Sequence, residues 1–296
     1  MIRVGVAGWS YADWEGPVYP KPLPRGFDAV RFLGRYVDVL EINSSFYAIP
    51  DARNAERWAA SARECPGLVF TAKVERGLTH EWAALGERER DARVDALRRS
   101  LDPLSSRGLL RAWLAQFAHS FHAGPRERAW VGWLAERMRD ATLVLELRHR
   151  SWFVPAVLAE LEAHGVGVAT IDLPAANDHP PQAWSMRAPL GYLRLHGRNR
   201  DAWFDRGAHR DQKYDYLYAP AELAPLARTA ERLAAAHGEA IVVANNHYTG
   251  KAVANALELL FALRGQPVPA PRALVDAYPH LASATRPEGQ VGLFDA

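Results

Sequence analysis

Eight short apolar runs recur along the 296-residue chain, and most turn polar at their C-terminal ends. They span residues 2–7, 37–43, 68–74, 112–117, 142–148, 166–172, 190–197 and 241–247. Seven of them finish in groups that can do chemistry: Glu41 and Asn43, Lys73, Gln116, Glu146 and Arg148, Asp172, Arg194 and His196, then Asn245, Asn246 and His247. A strand buried on both faces reads as a continuous apolar run. Eight such runs separated by helical stretches predict α/β architecture, a single (β/α)8 TIM-type barrel, whose active site is built at the C-terminal strand ends. The length suits one barrel of roughly 250 residues plus loops.

Alternation within the runs predicts which side chains face inward. Val37, Val39, Glu41 and Asn43 share a face, as do Val69, Thr71 and Lys73; Leu114 and Gln116; and Val144, Glu146 and Arg148. By the same reasoning Val168, Thr170 and Asp172 align, and so do Tyr192, Arg194 and His196. On each face the apolar half comes early and the polar half late, the order expected of a barrel packed below and polar at its mouth.

Between the runs, helices are expected at 51–63, capped by Asp51, and at 88–99, 125–139, 155–164, 220–237 and 249–263. The proline-rich stretch 174–188 is expected to be loop. The barrel is assigned residues 1–282, and residues 283–296 are expected to form a flexible tail. A single cysteine, Cys65, excludes an internal disulfide and a thiolate metal cluster. Net charge is only +2, so affinity for nucleic acid would need a local patch. No charged-then-apolar leader and no run of membrane-spanning length is visible, which predicts a cytoplasmic protein without membrane contact.

The stretch Gly8-Trp9-Ser10-Tyr11, followed by Trp14, Gly16 and Tyr19-Pro20, resembles the opening of the YecE-like family, the domain of unknown function 72 proteins. Further matches to that family are Glu41-Ile42-Asn43-Ser44-Ser45-Phe46-Tyr47, Phe70-Thr71-Ala72-Lys73, Glu146-Leu147-Arg148 with Ser151-Trp152-Phe153, Leu195-His196-Gly197-Arg198 and Asn245-Asn246-His247. They run in order along almost the whole chain. The resemblance implies a TIM-type barrel and supplies no reaction.

The polar ring itself supports several chemistries. Lys73 is either a Schiff-base nucleophile, if desolvation lowers its pKa, or a cation paired with Glu41 or Glu146; acids on neighbouring strands favour the second. Glu41 and Glu146 could serve as an acid and base pair. Glu146, Asp172, His196 and His247 would suit zinc or manganese, but Lys73, Arg148 and Arg194 oppose a cation. No metal or cofactor is therefore assigned, and His119, His122 and His149 are taken as loop residues. Loop 197–218 interleaves Arg198, Arg200, Arg206, Arg210 and Lys213 with Trp203, Phe204, Tyr214, Tyr216 and Tyr218, and Trp9, Tyr11 and Tyr47 add aromatics after other strands. Basic groups hold phosphate while rings stack on bases or sugars. Asn246 and Lys251, near the start of the last barrel helix, add an anion-binding terminus.

Together these features predict a hydrolase acting on a phosphate-containing sugar, nucleotide or nucleic-acid strand. Glu41, Lys73, Glu146, Asp172 and His196 are the expected catalytic groups. Trp9, Tyr11, Asn43, Tyr47, Gln116, Arg148, Arg194, Arg198, Trp203, Asn245, Asn246 and Lys251 are the expected binding groups. A glycosidase on a neutral sugar and a non-catalytic nucleic-acid-binding barrel are the alternatives. Near the C-terminus, Gln290, Leu293 and Phe294 resemble the short peptide that docks bacterial proteins on the sliding clamp, which makes that clamp an expected partner.

Overall fold

A computed structural model describes residues 1–181, 184–205 and 207–288. Nine strands form one all-parallel sheet: β1 (Ile2–Ala7), β2 (Val39–Ile42), β3 (Val69–Lys73), β4 (Leu110–Gln116), β5 (Leu143–Glu146), β6 (Gly167–Val168), β7 (Thr170–Asp172), β8 (Gly191–Leu195) and β9 (Ala240–Ala244). Their order is β6-β5-β4-β3-β2-β1-β9-β8-β7. The two ends of that order are consecutive in the chain. β6 pairs with β5 and β7 with β8, and Ala169 between them donates its amide to the Leu145 carbonyl at 2.9 Å. The sheet thus curls into a nearly closed barrel whose sixth strand is split in two, with helices around it.

Local chemistry sets the helix limits. The Asp51 side chain accepts from the Arg53 amide and starts the helix Ala52–Arg63. Pro125, Pro155 and Pro220 open the helices Pro125–Arg137, Pro155–Ala163 and Pro220–His237, where a missing N–H costs nothing. Gly265, at φ +68°, ends Lys251–Arg264 in a left-handed turn.

Two cores result. Inside the barrel, Val39, Val69, Leu114, Val144, Tyr192 and Ile241 pack with small residues between them. Gly5 belongs to this tight layer: a Cβ there would sit 1.7 Å from the Val39 carbonyl oxygen. The other strand faces pack against the helices through residues such as Leu40, Phe70, Leu145 and Leu193.

Two expectations need correction. Ala169 packs in the inner core with Ile171 against it, whereas Val168 lies in the helix-facing core, so the sixth strand is one residue out of the expected phase. A one-residue slip turns every side chain to the other face, and Asp172 therefore leaves the mouth. Second, Thr285–Glu288 (β11), assigned to the tail, pairs in parallel with Val268–Pro271 (β10). The expected clamp peptide, Gln290 with Leu293 and Phe294, lies outside the described residues. Among the described residues no helix is long and apolar enough to cross a membrane.

Candidate active site in the barrel mouth

The inward ends of β2, β3, β5 and β8 deliver Glu41, Lys73, Glu146 and Arg194 to one buried floor, as the alternation predicted. Between Phe70 and Thr71 the pairing of β3 with β4 shifts by one residue, with Arg111 of β4 as the extra residue. Such a bulge bends the strand and re-aims the side chains beyond it.

Arg194 is the centre of the floor. Its Nη2 and Nε donate to Glu41 Oε1 and Oε2 at 2.6 and 3.1 Å, and its Nη1 bonds Glu146. Gln116 Oε1 accepts from the same Nη1 at 3.4 Å. Arg148 donates from Nε to Glu146 Oε1 at 2.8 Å, and Tyr192 donates its hydroxyl to Glu41 Oε2 at 3.0 Å. The Tyr192 hydroxyl also lies 2.8 Å from Thr71 Oγ1. Although burial alone would raise the pKa of Glu146, the neighbouring Arg194, His196 and Arg148 hold it well below the ordinary carboxylate range.

His196 is fully buried beside this network. Its Nε2 faces Glu146 Oε1 at 3.3 Å, and the Asn245 amide lies 3.0 Å from its Nδ1. An amide N–H can only donate, so Nδ1 accepts and Nε2 carries the hydrogen, which is the neutral imidazole. Burial pushes its pKa down to about 4, against the opposing pull of Glu146.

Two guanidinium groups and two carboxylates already cancel here, and Lys73 would be a surplus cation. Its side chain is 8 % exposed, and among the described residues Nζ makes neither a hydrogen bond nor an ion pair. Pairing with Glu41 or Glu146, the favoured expectation, does not occur because Arg194 holds both. Nζ instead lies 4.2 Å from the Phe46 ring centre. Burial first, and then the Arg194 charge, lower its pKa to about 7.

Lys73 opens into a cleft of about 860 Å³. Trp9, Tyr11, Asn43, Tyr47, Gln116 and Asn245 line it, all six expected as binding residues. Sequence reasoning missed its outer wall, formed by Asn54, Arg57, Trp58 and Ser61 of the helix Ala52–Arg63. That polar and aromatic stripe at i, i+3, i+4 and i+7 was a readable signal. Exposed Arg57 bonds Asn54 and has no ion-pair partner among the described residues.

Asp172, expected as catalytic, and several expected binding groups are committed elsewhere. Asp172, facing outward, accepts from Arg198 Nη2 and Nε at 2.7 and 2.9 Å and from the Tyr218 hydroxyl at 2.7 Å. Arg198 also reaches Glu222, so the pair ties the loop to the helix layer. Lys251 is bound by Asp215, and Asp13 already accepts the Thr249 amide at the expected anion site. Asn246 donates to the Tyr216 carbonyl and to Asn255 Oδ1 rather than into the cleft. Trp203 stays at the mouth, 6.0 Å from the His196 ring. Arg206 lies outside the described residues. Of the quartet weighed for a metal and not assigned one, Asp172 faces outward and Glu146 is bound to two arginines.

A model of the family described as "Protein of unknown function DUF72" matches residues 3–275. The UPF0759 protein YunF of Bacillus subtilis is 28% identical over 270 residues, 88% of this chain and 94% of that protein. A DUF72 family protein of Thermotoga maritima superposes with a TM-score of 0.76 at 29% identity, covering 89% of this chain and 99% of that one. Another, from Enterococcus faecalis, gives 0.76 at 23% identity, with 89% and 96% covered.

Proposed function

The chain belongs to the DUF72 family, and from that footing we propose that it is an enzyme acting on a carbonyl-bearing sugar or sugar phosphate, with Lys73 as the reacting group. The observation that carries this reading is a buried amine that opens into the cleft with no ion-pair partner among the described residues, beside a floor whose charges already cancel. A neutral amine is the nucleophile that carbonyl chemistry requires. Nζ attacks the carbonyl carbon, the C–N bond forms, and the carbonyl oxygen departs as water, leaving an imine that protonates to an electron-withdrawing iminium.

The rest of the cleft suits such a substrate. Rings from Trp9, Tyr11, Tyr47 and Trp58 can lie against sugar C–H faces, and Asn43, Gln116 and Asn245 can meet hydroxyls. Arg57 at the rim is the cation left to receive a phosphate or acid group. Hydrolysis by Glu41 and Glu146 is less well supported, because a glycosidase needs a carboxylic acid that still holds its proton near neutrality. Arg194 grips both groups and keeps Glu146 ionised.

The test is reductive trapping. The protein is incubated with aldoses, ketoses and their phosphates in the presence of cyanoborohydride, then digested and mapped by mass spectrometry. With only four lysines in the chain, Lys21, Lys73, Lys213 and Lys251, the assignment is direct. A substrate-sized adduct on Lys73, absent from Lys73→Met, is expected. Adducts spread evenly over Lys21, Lys213 and Lys251, or none on Lys73 with any carbonyl tried, would overturn the reading.

A further inference from the structure

We propose that the loop after β7 and the loop after β4 together form a binding site for one divalent transition-metal ion, held by His119, Asp178 and His179. One ring nitrogen from each histidine and a carboxylate oxygen of Asp178 lie within 4.8 Å of one another. The cluster sits on the rim, on residues other than those lining the cleft.

Three observations say that the arrangement is set up for a ligand rather than being a chance meeting of surface groups. First, His179 Nδ1 lies 2.9 Å from the Pro174 carbonyl, which only accepts, so Nδ1 carries the hydrogen and Nε2 keeps a free lone pair. A backbone carbonyl fixing the far nitrogen in this way is the usual support of a metal-binding histidine. Second, His119 Nε2 is shielded from solvent and makes no hydrogen bond, although Asp178 Oδ2 is only 3.2 Å away. Close approach without hydrogen-bond alignment leaves the shielded His119 nitrogen unsatisfied beside a carboxylate oxygen, and a cation between the two would engage both. Third, the backbone is held in place from the neighbouring loop. The Arg150 amide donates to the Asp178 carbonyl at 2.8 Å, and Arg150 Nη1 donates to the Asn177 carbonyl at 3.2 Å.

The surroundings choose the ion. Two imidazoles and one carboxylate favour zinc, cobalt or nickel over magnesium or calcium, which take oxygen sets. His149 stands 5.3 Å from the His119 ring and stacks on His122 at 3.8 Å, so two further imidazoles flank the site. Asp178 is exposed, so coordination positions on that side are open to water. The positive charge of Arg150 and Arg200 nearby is directed at main-chain carbonyls, Asn177 and Ala175, rather than at Asp178.

The experiment uses the full chain after chelator treatment, titrated with cobalt(II) by visible absorbance and with zinc(II) by calorimetry. One equivalent per chain is expected, with a cobalt d–d band. His119→Ala and His179→Ala should each weaken zinc binding at least tenfold, and His280→Ala, remote from the cluster, should leave it unchanged. Circular dichroism melts establish that each variant is folded, and each of these partly exposed positions should tolerate alanine. Unchanged zinc binding by a folded His119→Ala/His179→Ala double variant, or no binding by the unaltered chain at millimolar metal, would overturn the proposal. Because the readout is metal alone, failure here leaves the Lys73 reading untouched.

Discussion

Arg194 and Glu41 meet fork to fork across the floor of the barrel, at 2.6 and 3.1 Å, with neither side chain reaching solvent. The same guanidinium holds Glu146, so its removal would strand Glu41 and leave Glu146 with Arg148 alone as its cation. Breaking a buried pair from one side costs about 3–5 kcal/mol, although replacing all partners by apolar groups is often neutral. Arg194→Met should therefore lower stability by about that amount in urea unfolding, and Arg194→Met/Glu41→Gln, which leaves Glu146 paired with Arg148, should recover much of the loss. A single variant as stable as the unaltered protein would contradict this charge balance.

Lys73 makes the opposite prediction. Its folded pKa of about 7 lies below that of the unfolded chain. Between about pH 7 and 10 the unfolded chain holds a proton that the fold has released, so stability from this group rises with pH across that window. Below it, both states hold the proton and the full penalty applies. Lys73→Met should raise the melting temperature at pH 6 by several degrees. The advantage should shrink at pH 9.5, and a gap independent of pH would refute the shifted titration.

His196 controls an acid limb. Its pKa falls to about 4, whereas an unfolded histidine titrates near 6.5. Stability is fully present above the unfolded value and is lost as pH falls from about 6.5 to 4, because only the unfolded chain takes up the proton. Nitrogen-15 spectra should show the ring neutral at pH 5 with the hydrogen on Nε2. His196→Gln should flatten the stability loss in that interval.

The strand phases show how much the chain discloses. In β3, Val69, Thr71 and Lys73 grade from apolar to charged while Phe70 and Ala72 stay apolar, so only one face can be the mouth. In the sixth strand Val168, Thr170 and Asp172 show the same gradation beside apolar Ala169 and Ile171, yet there the apolar face is the inner one. There the acid at the end pointed the wrong way, and only packing could decide. The floor was legible because a buried charge has to sit at the polar end of an inward face. The choice of partner was not, because Arg194 reaches both glutamates before Lys73 can. The wall formed by Asn54, Arg57, Trp58 and Ser61 was visible as a helical stripe, but it lies away from the strand ends, where a barrel's chemistry is expected.

Arg198 separates structural cations from binding ones. It is tied to Asp172 and Glu222 and is about one-third exposed, at 36% of its side chain. Solvent screening keeps such a pair modest, so Arg198→Ala should cost about 1 kcal/mol in denaturant unfolding. Trapping at Lys73 should be unaffected. A large loss of trapping without loss of stability would place Arg198 in the substrate site after all.

Arg57 should act on phosphate alone. Arg57→Gln is expected to weaken half-saturation of trapping by sugar phosphates about tenfold, the scale of one charge-assisted contact, while neutral sugars of the same skeleton trap as before. Equal effects on both would remove Arg57 as an anion contact.

The guanidinium of Arg194 works as a tie-rod. Rooted on β8, it fastens β2 and β5 to one another across the lumen, so opposing walls cannot part without exposing bare charge. The helix Ala52–Arg63 and the loops carrying Tyr47 and Trp203 are under no such tension. With Lys73 as the proposed reacting group, the anchored floor would stay fixed and the outer wall would set substrate choice. New substrates could then be reached by exchanging residues on that wall while the anchored floor keeps the same chemistry.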